Sequence, residues 1–264
     1  MLLLIDAGNT RVKWALAALG AAAGDWLETG AALHADLDAA AAAWQGRDVT
    51  GALVSNVAGA ALRDRLAALL GPIPTEWFAS SPERAGLVNG YREPQRLGCD
   101  RFAAAIGARA LAPGQPLVVA TCGTATTVDA VTGDGRFAGG MILPGLALMA
   151  GALAKNTAQL PQATPGMAPP PLFADNTNDA IVSGCLSAQA GAIERAVATH
   201  AGALCILSGG AAPYIAPALK CAHRMTDNIV LVGLHAVALH GLTPQELTPQ
   251  ELTPQKRNMG DGTC

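Results

Sequence analysis

The sequence predicts an α/β protein made of two copies of one unit, each a strand hairpin followed by alternating helices and strands in a mixed sheet. Three observations carry that expectation. The apolar run Met1 to Ile5 ends in Asp6-Ala7-Gly8-Asn9-Thr10 and resumes as Arg11 to Leu16, a strand-turn-strand. The same arrangement returns at Leu117 to Asp129 around the turn Cys122-Gly123-Thr124. Helix and strand patterns then follow each hairpin in similar order.

The elements read as follows. Leu37 to Trp44 is Ala-rich and amphipathic, and Gly51 to Val57 has the apolar character of a strand. Ala60 to Leu70 is a helix closed by Gly71-Pro72, because proline cannot continue it. Ile73 to Arg96 is extended and punctuated by proline, and a helix is expected over Phe102 to Leu111. Pro113-Gly114-Gln115-Pro116 reads as a linker, which divides an N-terminal domain, 1–113, from a C-terminal domain, 114–241. In the second unit a hairpin spans Leu117 to Val131 and a third strand lies around Gly140 to Leu143. Helices start at Leu146 and Asn178, a strand covers Leu204 to Leu207, and a last helix runs near Leu231 to His240. Residues 242–264 contain three tandem pentapeptides with proline at every fifth position. Such spacing forbids a regular helix and leaves little to bury, so this tail is expected to be disordered.

Composition narrows the function classes. Of 264 residues, 51% are hydrophobic and 14% charged, with much of the apolar share alanine. The longest strongly apolar runs fall short of the roughly 20 residues a membrane span needs. The leucine run stops at Asp6 with no basic stretch before it, so a signal peptide is not expected and a cytoplasmic location is. A net charge of -3 and the absence of a Lys/Arg cluster leave little footprint for nucleic acid. The six cysteines show no Cys-x-x-Cys spacing, and His235 and His240 are five apart instead of four. Reduced core thiols are therefore expected, rather than disulfides or a protein-held transition metal.

The two hairpin turns carry the chemistry. Each gathers small residues, hydroxyls and free backbone N–H groups between apolar strands, a suitable cradle for polyphosphate oxygens. Facing each other, they would clasp a nucleotide between two similar domains. Neither Gly-x-x-x-x-Gly-Lys-Ser/Thr nor a strand followed by Gly-x-Gly-x-x-Gly occurs, which removes the Walker ATPase and dinucleotide folds. Ordinary hairpin chemistry remains the alternative, since Asn, Gly and Thr also serve turns for local reasons.

Five blocks in order resemble the type III pantothenate kinase family: Asp6 to Thr10, Gly98-Cys99-Asp100-Arg101, Gly123 to Asp129, Gly139 to Gly145 and Asn176 to Ile181. The resemblance covers about residues 1 to 240. It implies two ribonuclease H-like domains with mixed β-sheets flanked by helices, in the actin-like ATPase architecture of the sugar-kinase superfamily. It also implies phosphorylation of pantothenate by ATP with Mg2+, the first step of coenzyme A biosynthesis, and a homodimer with the substrate pocket near its interface.

By that resemblance Asp6, Ala7, Gly8, Asn9, Thr10, Arg11, Val12 and Lys13 bind ATP, with Asp6 on the magnesium side, and Thr124 is the matching contact from the other domain. Asp100 is the catalytic base, although its position before a helix would also suit an N-cap. Tyr91, Gly98, Cys99, Asp100 and Arg101 form the pantothenate side, completed by Thr177. A surface salt bridge would equally account for Arg101, and a helix cap for Thr177. Many relatives carry Asp at the place of Thr121, where it helps bind K+ or NH4+; a threonine offers no charge, so monovalent-cation dependence is in doubt. Two other functions fit the nucleotide motifs alone: another small-molecule kinase of the superfamily, or a non-catalytic nucleotide-binding regulator. A paired Asp6 and Asp100 argue against the regulator, which needs no base.

Overall fold

The computed structural model describes residues 1–240; the repeat segment 242–264 lies outside the described residues. The first unit runs β1 (Leu2–Ala7), β2 (Arg11–Ala17), β3 (Glu28–Leu33), α1 (Leu37–Ala40), β4 (Gly51–Asn56), α2 (Ala60–Leu70) and β5 (Thr75–Phe78). Its sheet order is β3-β2-β1-β4-β5, with β2 antiparallel to both β1 and β3, and β4 and β5 parallel to β1. Central β1 explains its own unbroken apolar sequence. Leu3 and Ile5 point to one apolar layer and Leu4 to another, and all three are fully buried.

The chain then forms β6 (Glu83–Arg84), β7 (Leu87–Asn89) and α3 (Cys99–Leu111). The second unit follows as β8 (Leu117–Cys122), β9 (Ala125–Val131), β10 (Arg136–Pro144), α4 (Leu146–Asn156), α5 (Thr177–Thr199), β11 (Leu204–Ser208), α6 (Ala212–Ile215), β12 (His223–Met225) and α7 (Ile229–His240). Its order, β12-β11-β8-β9-β10, repeats the plan of the first sheet strand for strand. Short strands β7 and β6 extend it beyond β10, although both precede residue 113 in the chain.

Three apolar clusters divide the molecule into layers. One lies between the first sheet and its outer cover, with Leu37, Trp44, Leu62 and Leu66. Another lies under α4, α5 and α6 on the second sheet. The third joins the two sheets through α3 and α7. Helix α3 packs on β8 and β9 as well as β4, while α7, last in the described chain, returns to β1, β2 and β4. The two helices therefore cross between the sheets and each serves both units. Their crossing needs glycine: a Cβ on Gly107 would stand 2.7 Å from the Gly233 nitrogen and 2.6 Å from the Ile229 carbonyl oxygen.

Several element bounds differ from the sequence reading. Leu37 to Trp44 holds only one α-helical turn between 3-10 turns, while Leu37, Ala41 and Trp44 still face the core. Strand β3 escapes the apolar pattern because alternate residues are exposed, and β12 is three residues long. Strand β10 starts at Arg136, before a register shift between Phe137 and Gly139 that hides its continuity. Among the described residues no helix is long and apolar enough to cross a membrane.

Candidate active site

The first hairpin turn is closed by Gly8 N–H donating to the Arg11 carbonyl at 3.1 Å, leaving Asn9, Thr10 and Arg11 exposed at its tip. Ala7 and Val12 are fully buried, and the Ala7 carbonyl accepts from Val57 N–H at 3.1 Å. These two side chains anchor the turn from below. In the second hairpin Gly123 N–H donates to the Ala125 carbonyl at 2.9 Å. The hydroxyls of Thr10 and Thr124 lie 2.7 Å apart across 114 residues of sequence, so the two turns do face each other.

Behind the first turn, half-buried Asp6 is paired in register with Lys13 on β2 and Ser55 on β4. Burial pushes its carboxyl up to about 6; Lys13 opposes the shift and the charge of Asp100 adds to it. Asp100 reaches this neighbourhood because α3 begins beside the end of β4. The Cys99 thiol lies 3.4 Å from the Ser55 hydroxyl and 3.6 Å from the Asn56 carbonyl. Burial raises the Cys99 thiol above its ordinary value.

The N-cap reading of Asp100 does not hold: α3 begins at Cys99, its N-cap is Gly98, and Asp100 lies inside the first turn. There its Oδ1 accepts the Arg101 N–H at 2.8 Å. Burial raises its carboxyl above the ordinary aspartate value, against that hydrogen bond and the nearby Arg101 charge. A raised value brings an aspartate closer to what a general base for an alcohol requires.

Arg101 is not a surface residue either. Its guanidinium is buried, with Nε 3.1 and 3.2 Å from the two Asp129 carboxylate oxygens and Nη1 donating to the Tyr91 hydroxyl at 2.7 Å. Tyr91 and Phe137 present their rings to it at 5.6 and 5.7 Å. Asp129 is 2% exposed, and burial pushes its carboxyl up to about 6 while Arg101 opposes and Asp100 adds. Gly140 makes room for the pair, since a Cβ there would fall 2.8 Å from Arg101 Nη2 and closer still to Asp129. The sequence reading singled out Arg101 without its partner. The available signal was an acid at a core-facing position of an apolar strand, which needs a buried cation.

Thr177 stands apart from this group. It is the first residue of α5, and the cap is Asn176, whose Oδ1 accepts the Asp179 N–H at 3.0 Å. The cap reading of Thr177 is thereby corrected. Its side chain is exposed and makes no hydrogen bond to Tyr91, Asp100 or Arg101 among the described residues. Instead it lines an apolar cavity of about 720 Å³ between α4 and α5, with Pro144, Leu148, Met149, Leu153 and Ile181. Thr121 lies in register between Ser208 on β11 and Thr127 on β9.

Two helix-flanked mixed sheets of the same strand order, with facing hairpin turns, form the architecture of an actin-like ATPase fold. Solved structures agree on the fold. A candidate 2-dehydro-3-deoxygalactonokinase from Sinorhizobium meliloti superposes with a TM-score of 0.55 at 16% identity, over 90% of this chain and 98% of that one. A protein described as a candidate Baf family transcriptional activator from Campylobacter jejuni gives a TM-score of 0.60 at 19% identity, over 89% and 96%. A sequence model of type III pantothenate kinase matches residues 2–199. A type III pantothenate kinase from Herminiimonas arsenicoxydans is 56% identical over 251 residues, covering 90% of this chain and 97% of the relative. The chain belongs to the type III pantothenate kinase family.

Proposed function

We propose that the protein transfers the γ-phosphoryl group of ATP to the hydroxyl of pantothenate, with Asp100 as the base. The observation that carries this reading is the 2.7 Å approach of Thr10 to Thr124 beside the electrostatically coupled pair Asp6 and Asp100. Phosphoryl transfer asks for held phosphates, neutralised charge and an oriented hydroxyl, because its loose transition state needs little covalent help. The tip of the first turn offers the backbone N–H groups of Asn9 and Thr10 to the phosphates, Thr10 and Thr124 add hydroxyls from the two sides, and Lys13 adds positive charge.

Asp6 suits Mg2+: it is a hard oxygen donor whose carboxyl burial has raised, a cost that a divalent cation would offset. Bound there, Mg2+ would supply positive charge to the phosphate oxygens. Asp100 accepts the hydroxyl proton as the substrate oxygen bonds to the γ-phosphorus, and the bond to the bridging oxygen breaks to release ADP. Gly98 and Cys99 bring the α3 backbone to the substrate. Arg101, held in one orientation by Asp129 and Tyr91, supplies fixed donors to pantothenate.

The reading includes a homodimer and a cytoplasmic location, where ATP is made available. Support for the dimer comes from the apolar face between α4 and α5, where Leu148 is 53% and Leu153 38% exposed. A second copy covering that face would bury it, and would give Thr177 a substrate role that one chain alone does not provide. Monovalent cations should matter little, because the row Ser208, Thr121, Thr127 offers dipoles where an aspartate would offer charge. Turnover should change little when K+ is replaced by a large organic cation at constant ionic strength; strong saturable activation by K+ would show that another acid supplies the site.

A coupled ADP-release assay with pantothenate and a panel of other hydroxylated acids and sugars tests the function. Turnover specific to pantothenate is expected. Activity restricted to sugars would favour the other small-molecule kinase reading.

A further inference from the structure

The tip of the first hairpin is braced from outside by a residue that the nucleotide motifs do not contain. His34 follows β3, whose last residue, Leu33, pairs with Arg11 on β2. This register carries the half-buried imidazole alongside the turn, and His34 Nε2 lies 2.9 Å from the Gly8 carbonyl oxygen. A carbonyl oxygen only accepts, so Nε2 carries the proton and donates. The brace is itself held. The His34 carbonyl accepts from Arg65 Nη1 at 2.5 Å, and Arg65, on α2, is ion-paired with Asp38 on α1.

Holding one carbonyl aims the next N–H. The peptide joining Gly8 to Asn9 is planar and trans, so the Gly8 C=O and the Asn9 N–H point in opposite directions. With the carbonyl turned toward His34, the Asn9 N–H points away from it. Neither Asn9 nor Thr10 has a protein acceptor for its N–H among the described residues, whereas the Gly8 N–H is used inside the turn. The hydrogen bond from His34 thus keeps a free donor directed away from the protein side of the turn.

We propose that His34 is a positioning residue for nucleotide binding: it fixes the Gly8–Asn9 peptide so that the Asn9 N–H is presented to a phosphate oxygen of ATP. This rests on the kinase reading of the site. His34 acts through the Gly8–Asn9 peptide, so its effect falls on ATP and leaves pantothenate alone.

The test measures Mg2+·ATP binding by calorimetry, and KM for each substrate, in the unsubstituted protein and in His34→Gln, His34→Ala and His34→Phe. Glutamine keeps an N–H donor of similar reach, alanine removes it, and phenylalanine removes it while keeping ring bulk should alanine fail to fold. Loss of one such hydrogen bond should weaken ATP binding about five- to tenfold in the donor-free variants. The KM for pantothenate should stay within about twofold and glutamine should recover most of the ATP affinity. Equal ATP affinity in His34→Phe and His34→Gln, or parallel rises in both KM values, would overturn the proposal. Failure of the unsubstituted protein to bind ATP would instead overturn the kinase reading, and this inference with it.

Discussion

At the scale of single residues, the candidate site gathers carboxylates that burial raises above the ordinary aspartate value. Asp100 is raised by desolvation yet keeps one backbone donor, a balance that suits a base acting late on an alcohol. Asp100→Asn should fold normally and bind ATP while losing at least about 100-fold in turnover, as acid–base contributions usually require. Retention of more than about a tenth of the rate would remove Asp100 from that role. Asp6 yields a stability prediction with a definite sign. Its folded value, about 6, exceeds the ordinary 3.8, so its contribution to stability is greatest below the ordinary value and is lost as pH rises through about 6. Asp6→Asn cannot ionise and escapes that loss. The variant should melt a few degrees above the parent near pH 7.5 without metal, and no higher near pH 4. A variant melting lower near neutral pH would contradict the shift. Asp6 and Asp100 stood out in the sequence as site candidates, because they sit in short blocks with a recognisable order. Asp129 closes one of those blocks, but its pairing with Arg101 did not show, and His34 lies in none; pattern alone does not record contacts between residues far apart in the chain.

At the scale of elements, α3 connects the chemistry to the core. Its first turn carries Gly98 to Arg101 to the site, and its later turns, rich in alanine and glycine, let α7 approach closely enough to touch backbone to backbone. Gly107→Val would drive a branched side chain into the Ile229 carbonyl and Gly233. It should destabilise the protein by about 1–3 kcal/mol, the usual range for overpacking, as read by chemical denaturation. An unchanged midpoint would show that the helices can separate without loss. Hairpins, α2 and α4 stood out in the sequence because their apolar periods and stop signals are local. The start of α3 was placed three residues late, at Phe102 instead of Cys99, because Gly98 caps it without a side-chain signal. Edge strand β3 alternates small and exposed residues, which gives no apolar run to follow.

At the scale of the whole molecule, duplication was legible and interweaving was not. The repeated hairpin announced two units of one plan, and both sheets carry the same strand order. Which helix covers which sheet depends on contacts between residues more than a hundred positions apart, such as Ala103 against Gly233. The same view bears on assembly. Leu148 projects from α4 at the apolar face, 53% exposed. Leu148→Asp should convert a dimer to a monomer in light scattering, because an unpaired carboxylate would be desolvated at the contact. A parent protein that is already monomeric at assay concentration would remove the dimer from the account. The phosphorus NMR spectrum of the protein incubated with Mg2+, ATP and pantothenate reads the reaction itself. A phosphomonoester of pantothenate should appear in step with ADP and be absent with Asp100→Asn, whereas ADP accompanied only by inorganic phosphate would contradict the account.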